Sequence, residues 1–130
     1  MVSTRALWAG RILSSLAILF LIFDGMIKLP PLEIVTATMK ELGYPTTDSF
    51  ARFLGIVTLA CTALYAWPRT ALLGAVLLTG LFGGAIATHL RIGSPLFSHA
   101  LFGLYLGILV WGGLWLRDER VRRVMPVVIQ

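Results

Sequence analysis

Charged residues are scarce in this chain. Only 13% of its 130 residues are Asp, Glu, Lys or Arg and 58% are hydrophobic, whereas a soluble domain carries about 25% charged residues. Such a chain has too little polar surface to cover a water-soluble globule. The composition therefore predicts an integral membrane protein with lipids as its surroundings, and the length allows one domain.

Cysteine is almost absent as well. Cys61 is the single cysteine and lies inside an apolar segment, so an intramolecular disulfide and a thiol–disulfide relay within the chain are both excluded. We interpret Cys61 as a small hydrophobic residue of the core.

The positive charge of the chain is concentrated near its C-terminus. The formal net charge is +5, and four arginines follow the last apolar segment: Arg117, Arg120, Arg122 and Arg123. A basic cluster beside an apolar segment is typical of a cytoplasmic anchor that faces anionic lipid. Because no nucleic-acid-binding motif accompanies the charge, we expect no nucleic-acid partner.

Four segments are long and apolar enough to cross a bilayer, which takes about 20 helical residues. The first must include Arg11 and Asp24 to reach that length, and no Ala-x-Ala-like cleavage site follows it, so we expect a retained helix rather than a signal peptide. The sequence predicts one transmembrane domain, 1–130, with helices at about 6–28, 49–67, 69–91 and 95–116.

The connection between the first two spans has its own pattern. Pro30 and Pro31 end the first helix, and a short helix is predicted over about 32–42, with Gly43 as its C-terminal stop. Its apolar residues can share one face, so the helix either lies on the membrane surface or caps the bundle; they are Ile34, Val35, Met39 and Leu42. The predicted fold class is all-α: an integral membrane four-helix bundle with a short interfacial helix between its first two transmembrane helices.

The orientation follows from the basic residues. Both termini and the loop between the second and third spans share one side, which carries most of the lysines and arginines. The positive-inside rule therefore predicts cytoplasmic termini. We expect a multi-pass cell-membrane protein, as in a bacterial inner membrane.

Ionisable and polar residues converge on the opposite side. Charges at membrane depth are costly and usually face the bundle interior or a cavity. Three spans therefore deliver six candidate ligand-binding residues to one end: Asp24, Lys28, Thr88, His89, Arg91 and His99. Asp48 and Arg52, at the start of the second span, arrive at the same end.

Helical spacing predicts which way some of these side chains face. The first span carries a stripe of residues that are three or four positions apart: Ser14, Ala17, Leu21, Asp24 and Lys28. Asp24 and Lys28 also have the spacing of an ion pair within a helix. Two further stripes of small residues are expected to face neighbouring helices; they are Gly80, Gly84 and Thr88, and His99, Gly103 and Gly107. His99 should thus point into the bundle. His89 falls nearly opposite Gly80, so helical phase does not assign it to the same pocket.

Simpler interpretations exist for each residue. The Asp24–Lys28 pair can merely make burial tolerable, Arg11 and Arg91 can reach the lipid headgroups, and the histidines can bond to helix ends. The convergence of these residues on one end is what favours a site.

The motifs of the chain resemble the DoxX-like family of small four-helix membrane proteins. The resemblance covers roughly residues 8–115 and rests on Arg11, Gly25 and Lys28, on Leu42-Gly43-Tyr44-Pro45, on Pro68-Arg69, and on Ala87-Thr88-His89-Leu90-Arg91. It implies the fold and an association with quinone-linked oxidoreductases or oxidative-stress complexes; an animal branch assists receptor assembly. Members often carry a glutamate where this chain has Thr58, which puts proton or cation chemistry at that carboxylate in doubt.

Two main function hypotheses remain open. In the first, the protein is an accessory subunit, not an enzyme on its own, that binds a lipophilic molecule such as a quinone and supports a redox-enzyme partner or forms a homo-oligomer. His99, His89, Arg91 and Lys28 would then donate hydrogen bonds. In the second, the polar cluster fixes helix register in a purely structural or assembly protein.

Enzyme and transporter hypotheses have less support. A haem between the two histidines, or a two-His, one-carboxylate site with Asp24, conflicts with the helical phase of His89, so we expect no metal. A transporter is expected to have a pair of broken helices near the midplane of the membrane. The four predicted spans show no such pair, so the sequence does not favour a transporter.

Overall fold

The computed structural model describes residues 2–30 and 32–129, so the expectation for Pro31 lies outside the described residues. These residues form helices without any strand, which confirms the all-α prediction. The helices are α1 (Thr4–Lys28), α2 (Glu33–Leu42), α3 (Asp48–Ala66), α4 (Ala71–Arg91), a π-helical turn (Leu96–Ala100), α5 (Phe102–Arg117) and α6 (Glu119–Val124).

Four helical segments are long and apolar enough to cross a membrane: α1, α3, α4 and the segment Leu96–Arg117. In the bundle α1 packs on α3 and α5, and α4 packs on the same two helices. Large apolar side chains cover the outside, among them Leu19 and Ile108, which are 65% and 60% exposed. Lipid solvates such a surface, so the structure supports a four-helix membrane bundle.

The two ends of the bundle carry different elements. α1 and α4 finish at one end, where α3 begins and α2 lies; we call this the cavity end. α3 and α5 finish at the other end, where α1 and α4 begin; we call this the terminal end because the first and last described residues, Val2 and Ile129, flank the helices there. α2 therefore adds structure to the cavity end only.

Close helix contact sets the centre of the bundle. α1 crosses α5 at two glycines, and a Cβ added to Gly10 would lie 2.6 Å from the carbonyl oxygen of Gly113. Beside this crossing Tyr65 is fully buried, and its hydroxyl donates to the carbonyl oxygen of Val110 at 2.6 Å. The Ser14 hydroxyl lies 2.8 Å from the same phenolic oxygen. The predicted α1 stripe is confirmed, since Ser14, Ala17 and Leu21 are buried.

The short helix α2 caps the bundle. Val35 and Met39 are each 5% exposed and pack against Ala51 of α3. The expectation that Ile34 shares this face was wrong: it is 68% exposed, because at 3.6 residues per turn it lies about 100° around the helix axis from Val35. Gly43 ends the helix with φ of 78°, a left-handed conformation that glycine adopts without strain, and this confirms the predicted stop.

The fourth span begins and ends in ways that spacing did not predict. Gly93, with φ of 72°, and Pro95 precede the π-helical turn, in which the amides of His99 and Ala100 both donate to the carbonyl oxygen of Pro95. After α5, the chain folds back as α6. Its N-cap Asp118 accepts hydrogen bonds from Arg120, which hold the pKa of that carboxyl below its usual value.

Candidate functional site

A cavity of about 510 Å³ lies at the cavity end, between α1, α2, α3, α4 and the start of the fourth span. Its walls are mostly apolar. Five of the six residues singled out from the sequence line it: Asp24, Lys28, Thr88, His89 and His99. A volume of 300–1,000 Å³ is typical of small-molecule sites.

Asp24 and Lys28 form the predicted ion pair on α1. Nζ of Lys28 lies 2.7 Å from Oδ2 of Asp24, and the two side chains are 17% and 31% exposed. Close packing of α1 on α3 holds the pair in place, since a Cβ added to Gly55 would lie 3.0 Å from Cβ of Lys28. The cavity wall thus contains an ion pair whose formal charges cancel.

The two histidines lie side by side. Their ring centroids are 5.9 Å apart, with an angle of 68° between the rings. Nδ1 of His89 bonds to Ser94 Oγ at 3.0 Å, and Nδ1 of His99 bonds to Ser98 Oγ at 2.7 Å. Within the described residues, Nε2 of neither ring makes a hydrogen bond. Each imidazole therefore keeps one nitrogen for another partner.

The position of His89, which helical phase could not assign, is at the cavity wall. It reaches the cavity because small residues of α4 make this wall wide. The α4 wall of the cavity spans a wide arc, from Gly80 and Gly84 round to Ala85 and His89. A Cβ added to Gly80 or Gly84 would meet no atom within 4 Å. The expectation that this stripe packs on a neighbouring helix was wrong, because the glycines open space instead.

The second stripe does make helix contact. A Cβ added to Gly103 would lie 2.9 Å from the carbonyl oxygen of Phe82, so α4 and α5 approach closely there, as predicted. His99 itself lies in the π-helical turn rather than in α5. It is exposed at the rim of the cavity, whereas His89 is half-buried.

Arg91 is the one candidate that the structure keeps away from the cavity lining. Its Nη2 donates to the carbonyl oxygen of Leu42 at 2.8 Å. This carbonyl lies at the C-terminus of α2, where helical carbonyls lack partners within the helix. Arg91 therefore ties α2 to the end of α4.

Tyr44 is a cavity residue that the sequence did not single out. Its hydroxyl lies 2.7 Å from Oγ1 of Thr88, which itself donates to the carbonyl oxygen of Gly84. Since a threonine hydroxyl has one proton, Tyr44 donates in this contact. The signal was present in the Leu42-Gly43-Tyr44-Pro45 motif, because a left-handed glycine fixes where the next side chain points.

A sequence profile described as the DoxX-like family matches residues 12–113. The chain belongs to the DoxX-like family. No curated protein and no solved structure matches it. The family assignment agrees with the resemblance drawn from the motifs above.

In this DoxX-like protein, Thr58 lies in the cavity wall. It is 2% exposed, and its hydroxyl donates to the carbonyl oxygen of Leu54 at 2.8 Å. The side chain at this position is therefore satisfied by its own helix. A glutamate at this position, the residue named above as frequent among the proteins that the chain resembles, would instead bring a second carboxylate to the cavity.

The remaining wall is aromatic and aliphatic. Phe20 and Phe102 meet edge to face, with ring centroids 5.1 Å apart, and both line the cavity. Among residues 2–30 and 32–129, no three His, Cys, Asp or Glu side chains are grouped to hold a metal ion. The arrangement suits a neutral, largely apolar molecule with one or two polar atoms.

Proposed function

We propose that this protein is an accessory membrane subunit that binds a quinone in the cavity and supports a redox-enzyme partner. One observation supports a quinone as the ligand: two neighbouring imidazoles each keep Nε2 available for a hydrogen bond at the edge of an apolar cavity. A quinone needs hydrogen-bond donors for its carbonyl oxygens and an apolar space for its ring. The partner is inferred from the family alone.

The serine partners make each histidine adaptable. A serine hydroxyl either donates to Nδ1 or accepts from it. In the first case Nε2 carries the proton and donates to a carbonyl, and in the second Nε2 accepts from a hydroxyl. His89 with Ser94 and His99 with Ser98 can therefore hold a quinone in its oxidised or its reduced form.

Other residues would orient the ligand. Asp24 holds Lys28 in the wall, where the ammonium group can donate a further hydrogen bond. Phe20 and Phe102 give the ring an aromatic surface. A bound quinone supplies reversible two-electron chemistry, and these side chains bind it, orient it and exclude water.

The first test measures quinone binding. Titration of decylubiquinone into the purified protein in dodecyl maltoside, followed by calorimetry, should show binding that weakens about ten- to a hundredfold in His99→Ala and His89→Ala. Trp115→Phe is the matched control, since it also removes one hydrogen bond, from Nε1 of Trp115 to the carbonyl oxygen of Met125, but at the terminal end and away from the cavity lining. Its affinity should match that of the parent.

The same variants separate a ligand site from a structural role. In the structural alternative, both histidine changes lower the melting temperature and leave decylubiquinone affinity unchanged. That result, or the absence of binding to the parent protein, would count against the quinone proposal.

The second test concerns orientation, for which we propose that both termini are cytoplasmic. In a Cys61→Ala background, single cysteines at Lys40 and Gly93 should react with an impermeant maleimide added to intact cells, because both positions lie at the cavity end. A cysteine at Val128 should react only after the cells are opened. Labelling of Val128 alone in intact cells would reverse the orientation.

A further inference from the structure

A second crevice, of about 350 Å³, opens at the terminal end. It lies between α1, the end of α5 and the turn that connects α3 to α4. Four polar residues line it: Arg11, Ser14, Ser15 and Arg117. The other lining residues are apolar, so the crevice joins two cations to a surface that suits lipid.

Arg117 is held in a fixed position. Its Nε donates to Ser14 Oγ at 3.1 Å, and its guanidinium lies 5.5 Å from the centre of the Tyr65 ring. Because the Tyr65 proton goes to the carbonyl oxygen of Val110, Ser14 donates its own proton to Tyr65. Ser14 thus accepts from Arg117, and the chain of hydrogen bonds leaves the terminal nitrogens of that arginine for a ligand.

Arg11 reaches the same crevice from α1. Its guanidinium lies 5.2 Å from the centre of a Trp8 ring. The backbones put the two arginines at a common depth, since a Cβ added to Gly10 would lie 3.0 Å from Cβ of Arg117. Two positively charged side chains therefore line one crevice.

Neither arginine forms an ion pair with a carboxylate in residues 2–30 and 32–129. Asp118 acts on Arg117 at longer range, but both of its carboxylate oxygens already accept hydrogen bonds from Arg120. The crevice consequently has an uncompensated positive charge, which an anion would offset.

We propose that this crevice binds the phosphate group of an anionic ligand. Guanidinium groups form paired hydrogen bonds with phosphate oxygens, and Ser15 adds a hydroxyl donor. The apolar part of the crevice, which includes Leu7 and Ile18, suits the glycerol and acyl portion of a lipid. The shared chemistry is a phosphate with net negative charge, supplied by a phospholipid headgroup or by free phosphate.

The test compares defined probes on the protein in dodecyl maltoside. Native mass spectrometry should show one bound palmitoyl-oleoyl phosphatidylglycerol, held about tenfold more tightly than palmitoyl-oleoyl phosphatidylcholine. Arg11→Gln should abolish this preference. The matched control is Arg69→Gln, an exposed arginine at the same end that does not line the crevice, and it should change phosphatidylglycerol affinity by less than about twofold.

Inorganic phosphate tests whether the ligand is a phospholipid headgroup or free phosphate. If phosphate alone raises the melting temperature of the parent but not of Arg11→Gln, and phosphatidylglycerol shows no preference, the site takes free phosphate. If only the lipid acts, the source is the headgroup. Equal lipid binding by Arg11→Gln and Arg69→Gln, or no effect of either probe on the parent, would overturn the proposal.

The two arginine variants differ in their expected effect on folding. Arg117→Gln also breaks the bond to Ser14, so it serves only as a second variant, whereas exposed Arg11 does not hold the core. The crevice and the histidine cavity lie at opposite ends of the bundle. Arg11→Gln should therefore leave decylubiquinone binding unchanged.

Discussion

Replacement of Gly113 by alanine is expected to lower the free energy of unfolding by about 3 kcal/mol. The added Cβ would overlap Ser14 Oγ and would lie 2.8 Å from the backbone nitrogen of Ser14 and 3.0 Å from the carbonyl oxygen of Gly10. Backbone atoms cannot rotate away. Ser14 is also held by Tyr65 and Arg117, so α1 and α5 have to move apart.

Gly112 is the matched control for this change. It is the preceding residue of α5, and a Cβ there would lie 3.7 Å from its nearest neighbour, Cδ1 of Leu13. Gly112→Ala should therefore be neutral or slightly stabilising, because alanine favours a helix more than glycine does. Unfolding of both variants by SDS in mixed micelles gives the comparison. Equal stability of the two would contradict the close crossing of α1 and α5.

Replacement of Asp24 by asparagine should lower the free energy of unfolding by about 2 kcal/mol. Lys28 would lose its carboxylate at 2.7 Å while its side chain stays 17% exposed, and a charge without a partner is costly at membrane depth. The same SDS titration measures the loss.

Two further variants test the cause. The double change of Asp24→Asn with Lys28→Met removes the unpaired charge and should recover part of the stability. Arg120→Gln breaks an ion pair whose arginine is 83% exposed, and because solvent screens such a pair it should lower the stability much less than Asp24→Asn does. If Asp24→Asn unfolds like the parent, water solvates the pair and the cavity wall is not a buried network.

The helical architecture could be predicted from the sequence because hydrocarbon imposes strong rules. The length of uncharged segments identified the spans, and a period of 3.6 residues gave the buried stripe through Ser14, Ala17 and Leu21. The spacing of Asp24 and Lys28 likewise predicted an ion pair that the structure contains. These features depend on neighbours along one helix.

The relation between the histidines could not be predicted in this way. It depends on a π-helical turn that carries His99 and on glycines of α4 that leave space rather than contact. A stripe of small residues has the same spacing whether it packs on a helix or borders a cavity. The role of Arg91 could not be predicted either. A guanidinium can donate to a backbone carbonyl or to a ligand, and only the fold places the carbonyl oxygen of Leu42 beside it.

The placement of charge along the bundle has an electrical consequence. Four acidic and four basic residues lie at the cavity end, and their formal charges cancel; they are Asp24, Glu33, Glu41, Asp48, Lys28, Lys40, Arg52 and Arg91. The entire net charge of +5 therefore belongs to the terminal end. Moving one elementary charge through 100 mV takes about 2.3 kcal/mol, so in such a membrane the orientation proposed above, with the terminal end in the cytoplasm, would be favoured over the inverted one by about 12 kcal/mol. A neutral ligand at the cavity end carries no charge for these residues to attract or repel, so its affinity should vary little with ionic strength.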